Sequence, residues 1–177
     1  MRTRKLGSLN VSIIGLGCNN FGGRLDLAGT KNVLDAAIDA GVTFLDTSDT
    51  YGATESERLM GQVLEGRRDR VVLATKFGSA NKAAGLEGGA NPEYIRASID
   101  GSLQRLRTDH VDLYQLHRPD PSVPIAETLG ALKELIDAGK VLEIGCSNFS
   151  REQLEEAERA AREHGLPVHL DGARAFN

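Results

Sequence analysis

The sequence predicts an α/β fold built on a parallel sheet, and three observations predict it. Short β-rich apolar runs alternate with longer stretches of helical periodicity. Helix-capping and helix-stopping residues fall at the junctions between them. Most of the runs end in a cluster of polar, chemically capable residues.

Taken in order, residues 2–9 read as a short hairpin arm turning near Gly7-Ser8. The β-rich runs follow at 11–17, 42–46, 71–76, 111–117 and 141–147. Ile95, Ile99, Leu103 and Leu106 mark one face of a helix that starts at Asn91-Pro92, an N-cap followed by a first-turn proline. Leu129, Leu132, Leu135 and Ile136 mark another helix face. Ser150 with Gln153 fits a capping box, and Gly41, Gly139 and Gly165 stand where helices should stop. Successive βα units favour right-handed crossovers, which leaves a doubly wound sheet or a (β/α)₈ barrel. The glycine-rich stretch 85–90 reads as a flexible βα loop rather than a phosphate cradle.

A chain of 177 residues, 40% hydrophobic and 26% charged, fits one globular domain with a proper core. A net charge of −4 without a long basic run argues against nucleic acid as the main partner. No apolar run approaches membrane-spanning length, and the glycines at 15 and 17 break the only stretch resembling a leader. Two cysteines, Cys18 and Cys146, without CxxC spacing, suggest a reduced cytoplasmic protein and no metal site.

The strand ends carry the chemistry. One run ends at Asp46 and continues Thr47-Ser48-Asp49-Thr50-Tyr51-Gly52; the next ends Ala74-Thr75-Lys76. The following two end Leu116-His117 and Gly145-Cys146-Ser147-Asn148. In a parallel barrel these ends share one face, so the residues converge in one pocket. Taken singly, Asp46 is an ordinary cap, Lys76 a solvated strand end and His117 a satisfied loop histidine. Tyr51 is less easily explained, because a phenol in a polar loop has little core to join.

Together, the segments 46–52, 74–76, 116–117, 139–141 and 145–149 resemble the successive signatures of the aldo-keto reductase family, in unbroken order from Met1 to about Gly165. The resemblance implies a (β/α)₈ barrel, NADPH as cofactor with NADH as the alternative, and a small carbonyl substrate. It assigns a catalytic tetrad to Asp46, Tyr51, Lys76 and His117. Hydride arriving at a carbonyl carbon leaves an alkoxide that needs a proton and charge stabilisation. An isolated phenol, with pKa about 10, holds its proton tightly at neutral pH. Tyr51 is therefore expected to donate with the help of the Lys76 ammonium, which stabilises a phenolate and is held by Asp46. His117 is expected to be neutral and to orient the carbonyl oxygen. By the same resemblance Ser147 and Asn148 hold the nicotinamide carboxamide. Asn19, Asn20 and Phe21, following the first strand, are expected to line the pocket. Gly15-Leu16-Gly17 fails the dinucleotide spacing, so its glycines are expected to serve packing; the two cysteines are not expected to be nucleophiles.

A whole barrel of this kind takes roughly 250 residues. The sequence therefore reads as a single truncated domain, an incomplete barrel of four to five βα units over residues 1–177, with a divergent tail at 166–177. In that tail His169-Leu170-Asp171-Gly172-Ala173-Arg174 resembles a threonine-aldolase-type pyridoxal-phosphate motif, with Asp171 and Arg174 in its cofactor and substrate roles. Two further alternatives are a catalytically inactive fragment and a cofactor-sensing subunit. An incomplete barrel leaves open edges, and self-association through them is expected, with an inner face formed by residues such as Leu45, Leu73 and Leu116.

Overall fold

A computed structural model of the chain describes residues 1–166. Asp171 and Arg174 lie outside the described residues. The chain opens with an antiparallel hairpin: β1 (Thr3–Leu6) pairs with β2 (Leu9–Ser12) across the Gly7-Ser8 turn. The expected run 11–17 is thus divided, its first part closing the hairpin and its last part forming β3 (Gly15–Gly17). Ser12 makes the division. Its hydroxyl accepts the backbone N–H groups of Thr43 and Phe44 at 2.9 and 3.2 Å and donates to the Ile14 carbonyl at 2.6 Å. A side chain therefore takes bonds that a continuous strand would have made with its backbone.

The remaining strands are β4 (Phe44–Asp46), β5 (Val72–Phe77), β6 (Val111–Leu116) and β7 (Val141–Cys146). They alternate with helices α1 (Leu27–Asp39), α2 (Glu55–Val63), α3 (Pro92–Leu106) and α4 (Ile125–Asp137), and α5 (Arg151–Glu163) follows β7. The sheet runs β3-β4-β5-β6-β7 with every pair parallel. A doubly wound sheet reverses its strand order part-way. This one does not, and its curvature class is that of a partial (β/α) barrel. The caps follow the sequence: Asn91 accepts the Tyr94 N–H at 2.9 Å, and Ser150 and Gln153 close the capping box of α5.

Along each strand the side chains alternate between two faces. Leu45, Leu73, Phe77, Tyr114 and Leu116 are buried in the main core with Leu34, Met60, Ile95, Ile99 and Leu132 of the helices. Phe44, Val72, Ala74 and Leu113 form a second cluster with Leu6, Leu9 and Val11 of the hairpin. Leu45, Leu73 and Leu116 are therefore outward, helix-facing residues, which corrects the expectation that they form the inner face. Strands buried on both faces read as near-continuous apolar runs, and such runs do not reveal the phase of the alternation. The hairpin is tied to the far side of the sheet by Ser8, whose N–H donates to Glu143 Oε1 of β7 at 2.7 Å.

Behind the sheet, α2 and α3 approach closely at Gly61, where an added Cβ would overlap the Arg105 carbonyl. Beside that contact the buried Glu57 takes Arg105 Nε at 2.6 Å and the Thr75 hydroxyl at 2.6 Å, joining α2, α3 and β5. Both carboxylate oxygens are thereby bonded, which is the condition for a charge to sit in a core. Among the described residues no helix is long and apolar enough to cross a membrane.

Candidate active site

The face that carries Phe44, Val72, Ala74 and Leu113 ends, at the C-terminal edge, in Asp46, Lys76 and Gln115, with His117 just past β6. Lys76 is only 6% exposed. Its ammonium donates to Asp46 Oδ1 and Oδ2, both at 2.7 Å, and to the Thr47 carbonyl at 3.0 Å, so three acceptors meet three donors. Gln115 Nε2 adds a bond to Asp46 Oδ1 at 3.3 Å. That satisfied cluster fixes the ammonium over the Tyr51 ring, 5.2 Å from its centroid.

Tyr51 sits in the turn between β4 and α2. Its N–H donates to the Ser48 carbonyl at 3.2 Å and its own carbonyl accepts from Ser56, so the loop is folded back on itself. Ala53 and Thr54 complete the turn with positive φ values of 54° and 79°. The His117 ring meets the Tyr51 ring edge-on, with centroids 5.9 Å apart and an interplanar angle of 83°. All four residues expected to work together are thus neighbours.

The His117 backbone N–H extends the ladder to the Phe77 carbonyl at 2.8 Å, which holds the residue at the rim. Burial, then the nearby Lys76 and Arg118, hold its pKa below the ordinary imidazole value. That direction favours the neutral ring. Its Nδ1 lies 3.2 Å from the Ser48 hydroxyl, which in turn lies 3.1 Å from Asp49 Oδ1. Burial, with Glu57 nearby, pushes the Asp49 carboxyl up to about 7.

At the end of β7, Ser147 donates its N–H to the Leu116 carbonyl at 2.9 Å. Asn148 is exposed, adopts φ of 62°, and donates from its amide nitrogen to the His117 carbonyl at 2.8 Å. The two are therefore attached to the same rim as His117. Asn19 and Asn20 are exposed beyond β3. Phe21 is different: at 2% exposure it belongs to the main core, which corrects its placement in the pocket lining. The chain turns after Asn20, whose carbonyl accepts from Arg24 and Leu25, and the turn drives the next side chain inward. Gly15 is a packing position, since a Cβ there would press on Phe44, whereas Gly17 faces open space. The Cys18 thiol is pushed up to about 12 by burial and by Asp46, and burial also raises that of Cys146. Neither is primed as a nucleophile.

Residues 13–169 match the Aldo/keto reductase family. The chain belongs to this family. It is 43% identical over 164 residues to aldo-keto reductase YhdN of Bacillus subtilis (strain 168), a match covering 89% of the chain and 50% of the relative. It is 40% identical over 163 residues to probable aldo-keto reductase 1 of Glycine max, covering 86% of the chain and 46% of the relative. A solved structure of the thermostable aldo-keto reductase Tm1743 with the inhibitor epalrestat superposes with a TM-score of 0.79 at 31% identity, over 90% of the chain and 58% of that protein. This aldo/keto reductase chain spans about half the length of the curated relatives it matches.

Several neighbours of the site carry no sequence expectation: Ser48, Asp49, Glu57 and Gln115. Ser48 and Asp49 lie inside the motif that identifies the family, yet nothing in their spacing shows that one touches His117 across 69 positions. Glu57 had one readable signal, an acidic residue among Leu59, Met60 and Val63 on an otherwise buried helix face. Among the described residues no group of three or more His, Cys, Asp or Glu side chains gathers as a metal site.

Proposed function

We propose that the chain carries the proton-transfer centre of an oxidoreductase that reduces an aldehyde or ketone with NADPH or NADH, with Tyr51 as the proton donor. The observation that carries this reading is the Lys76 ammonium, clamped by both Asp46 oxygens and held 5.2 Å from the centre of the Tyr51 ring. Tyr51 gives its proton to the oxygen that gains charge as hydride reaches the carbonyl carbon. Lys76 stabilises the phenolate left behind, and Asp46 keeps Lys76 from turning away. His117, neutral, donates one hydrogen bond to the carbonyl oxygen and turns it toward Tyr51.

When bound, the nicotinamide cofactor supplies the hydride. Ser147 and Asn148 would hold its carboxamide, since a hydroxyl and an amide offer the donors and acceptor that such a group needs. Gly17, the register partner of Asp46, leaves open space beside Asp46 among the described residues. Asn19 and Asn20 would border the substrate.

A second reading keeps the site and drops turnover, making the chain a cofactor-sensing or inert relative. Turnover of an activated aldehyde with NADPH separates the two. Under the first reading Tyr51→Phe lowers kcat by roughly 100-fold or more, the usual contribution of a positioned acid. Equal turnover of wild type and Tyr51→Phe removes Tyr51 as donor. Quenching of NADPH fluorescence with no turnover by either protein selects the second reading.

A further inference from the structure

We infer that Ser48 and Asp49 form a hydrogen-bonded relay behind His117 that decides which imidazole nitrogen carries the proton, and that both are positioning residues for carbonyl reduction. The inference rests on the reading of His117 as a hydrogen-bond donor and adds the groups that determine whether it can donate.

Ser48 and Asp49 are both 0% exposed, so water does not compete for their bonds. A hydroxyl has one proton and two lone pairs. The Thr50 N–H donates to Ser48 Oγ at 3.3 Å and occupies one lone pair. One proton and one lone pair remain, with Asp49 Oδ1 at 3.1 Å on one side and His117 Nδ1 at 3.2 Å on the other. The Thr50 hydroxyl at 3.1 Å, which can donate or accept, and the Lys76 carbonyl acceptor at 3.5 Å are weaker partners than a carboxylate or a bare imidazole nitrogen.

Two arrangements follow. With Asp49 ionised, the Ser48 proton goes to the carboxylate, and the remaining lone pair accepts from His117 Nδ1–H. The other ring nitrogen, Nε2, is then bare and can only accept. With Asp49 protonated, its O–H donates to Ser48, Ser48 donates to Nδ1, and the ring proton sits on Nε2. Among the described residues Nε2 has no hydrogen-bond partner, so it is the nitrogen available to a substrate. Only the second arrangement presents an N–H to a carbonyl oxygen. Passage from the first to the second takes up one proton from solvent at Nε2, while the Nδ1 proton passes to Ser48 Oγ and the Ser48 proton to Asp49 Oδ1; the reverse passage releases one proton.

The surroundings of the relay put this change in the neutral range. Asp49 faces Glu57 of α2, Arg105 and Tyr94 of α3, and Tyr114 of β6, and Arg105 is already bonded to Glu57. Asp49 Oδ2 is buried with no partner among the described residues, an arrangement far costlier for an anion than for a neutral carboxyl. Burial and Glu57 together push the group up to about 7. His117 faces Lys76 of β5, Asp46 of β4, the Tyr51 ring and its neighbour Arg118; burial first, and then the two cations, hold its pKa below the ordinary imidazole value.

The test is long-range ¹H–¹⁵N NMR of the imidazole rings in the whole chain, with His117 assigned from His117→Gln and the pH taken from about 6 to about 9. In wild type the ring proton should pass from Nε2 to Nδ1 with a midpoint near 7, the two nitrogens exchanging chemical-shift positions and the tautomer ratio changing roughly tenfold per pH unit. Ser48→Ala and Asp49→Asn should each abolish the step, and Tyr51→Phe should leave it. One tautomer across the whole range in wild type, or a step that persists in Asp49→Asn, overturns the relay. The wild-type titration is decisive even if a variant fails to fold. The readout needs neither substrate nor cofactor, so it works equally in a chain without reductase turnover and is independent of the proposed activity.

Discussion

A carboxyl with one oxygen bonded to Ser48 and the other buried without a partner among the described residues is easier to keep neutral than charged, and for Asp49 that preference reaches the stability of the chain. Its pKa in the folded chain, about 7, lies above the ordinary value of 3.8. The stability it contributes is therefore fully present below about 3.8 and is lost as the pH rises to about 7. That loss is on the order of 4 kcal/mol at most, at about 1.4 kcal/mol per pH unit. Asp49→Asn keeps the shape and removes the charge. It should stabilise the chain near pH 8 by up to that amount and change little near pH 4 relative to wild type, as read by urea unfolding. An equal gain at both pH values would mean that the charge at Asp49 is not the cause. At this scale the sequence exposes Asp46, Tyr51, Lys76 and His117, because each ends a strand or follows one. Ser48 and Asp49 stand in the same motif, but Ser48 reaches His117 only when β6 lies beside β5. Phe21 departs from expectation for a local reason: position after a strand is shared by pocket and core residues, and only the turn at Asn20 separates them.

The helices and strands are legible wherever period and punctuation agree. Asn91-Pro92, the Ser150 capping box and the glycines at 41, 139 and 165 mark the boundaries that the fold uses. Two features escape the pattern. The hydroxyl of Ser12 splits one apolar run into two strands, and the doubly buried strands hide which parity faces the helices. Helix packing has its own sensitive point at Gly61, where α2 rests directly on the backbone of α3. Gly61→Ala inserts a methyl against the carbonyl of Arg105, and backbone cannot rotate aside as a side chain can. The substitution gains up to about 1 kcal/mol of helix propensity and loses more to overpacking, typically about 1–3 kcal/mol. Net destabilisation of about 1–2 kcal/mol is expected from a shift of the urea midpoint at unchanged slope. A stabilised Gly61→Ala would mean that α2 and α3 part without cost.

Across the whole molecule, the sequence leaves two architectures open, and the strand order selects between them through its lack of reversal. The partial barrel has two edge strands among the described residues, β3 and β7. Exposed apolar side chains lie at both, Ile13 and Ile14 beside β3 and Leu142 on β7. Unpaired backbone groups next to apolar surface form a template for another chain. The 177-residue chain should therefore run larger than a monomer in size-exclusion chromatography with light scattering, and Leu142→Lys should shift it toward the monomer. A cooperative monomer that binds no hydrophobic dye would refute this expectation.

The bond between Ser8 and Glu143 spans 135 positions. A ribosome adding roughly 5–20 residues per second needs about 7–27 s to make that stretch. For that interval the tie to β7 does not yet exist, although Ser12 at the end of the hairpin meets Thr43 and Phe44 much sooner. The sheet strands emerge meanwhile in the order in which they pair, each beside the one just made. The first segment to be synthesised thus receives its last fastening late, and its apolar residues Leu9 and Val11 wait uncovered until the strands that bury them have appeared.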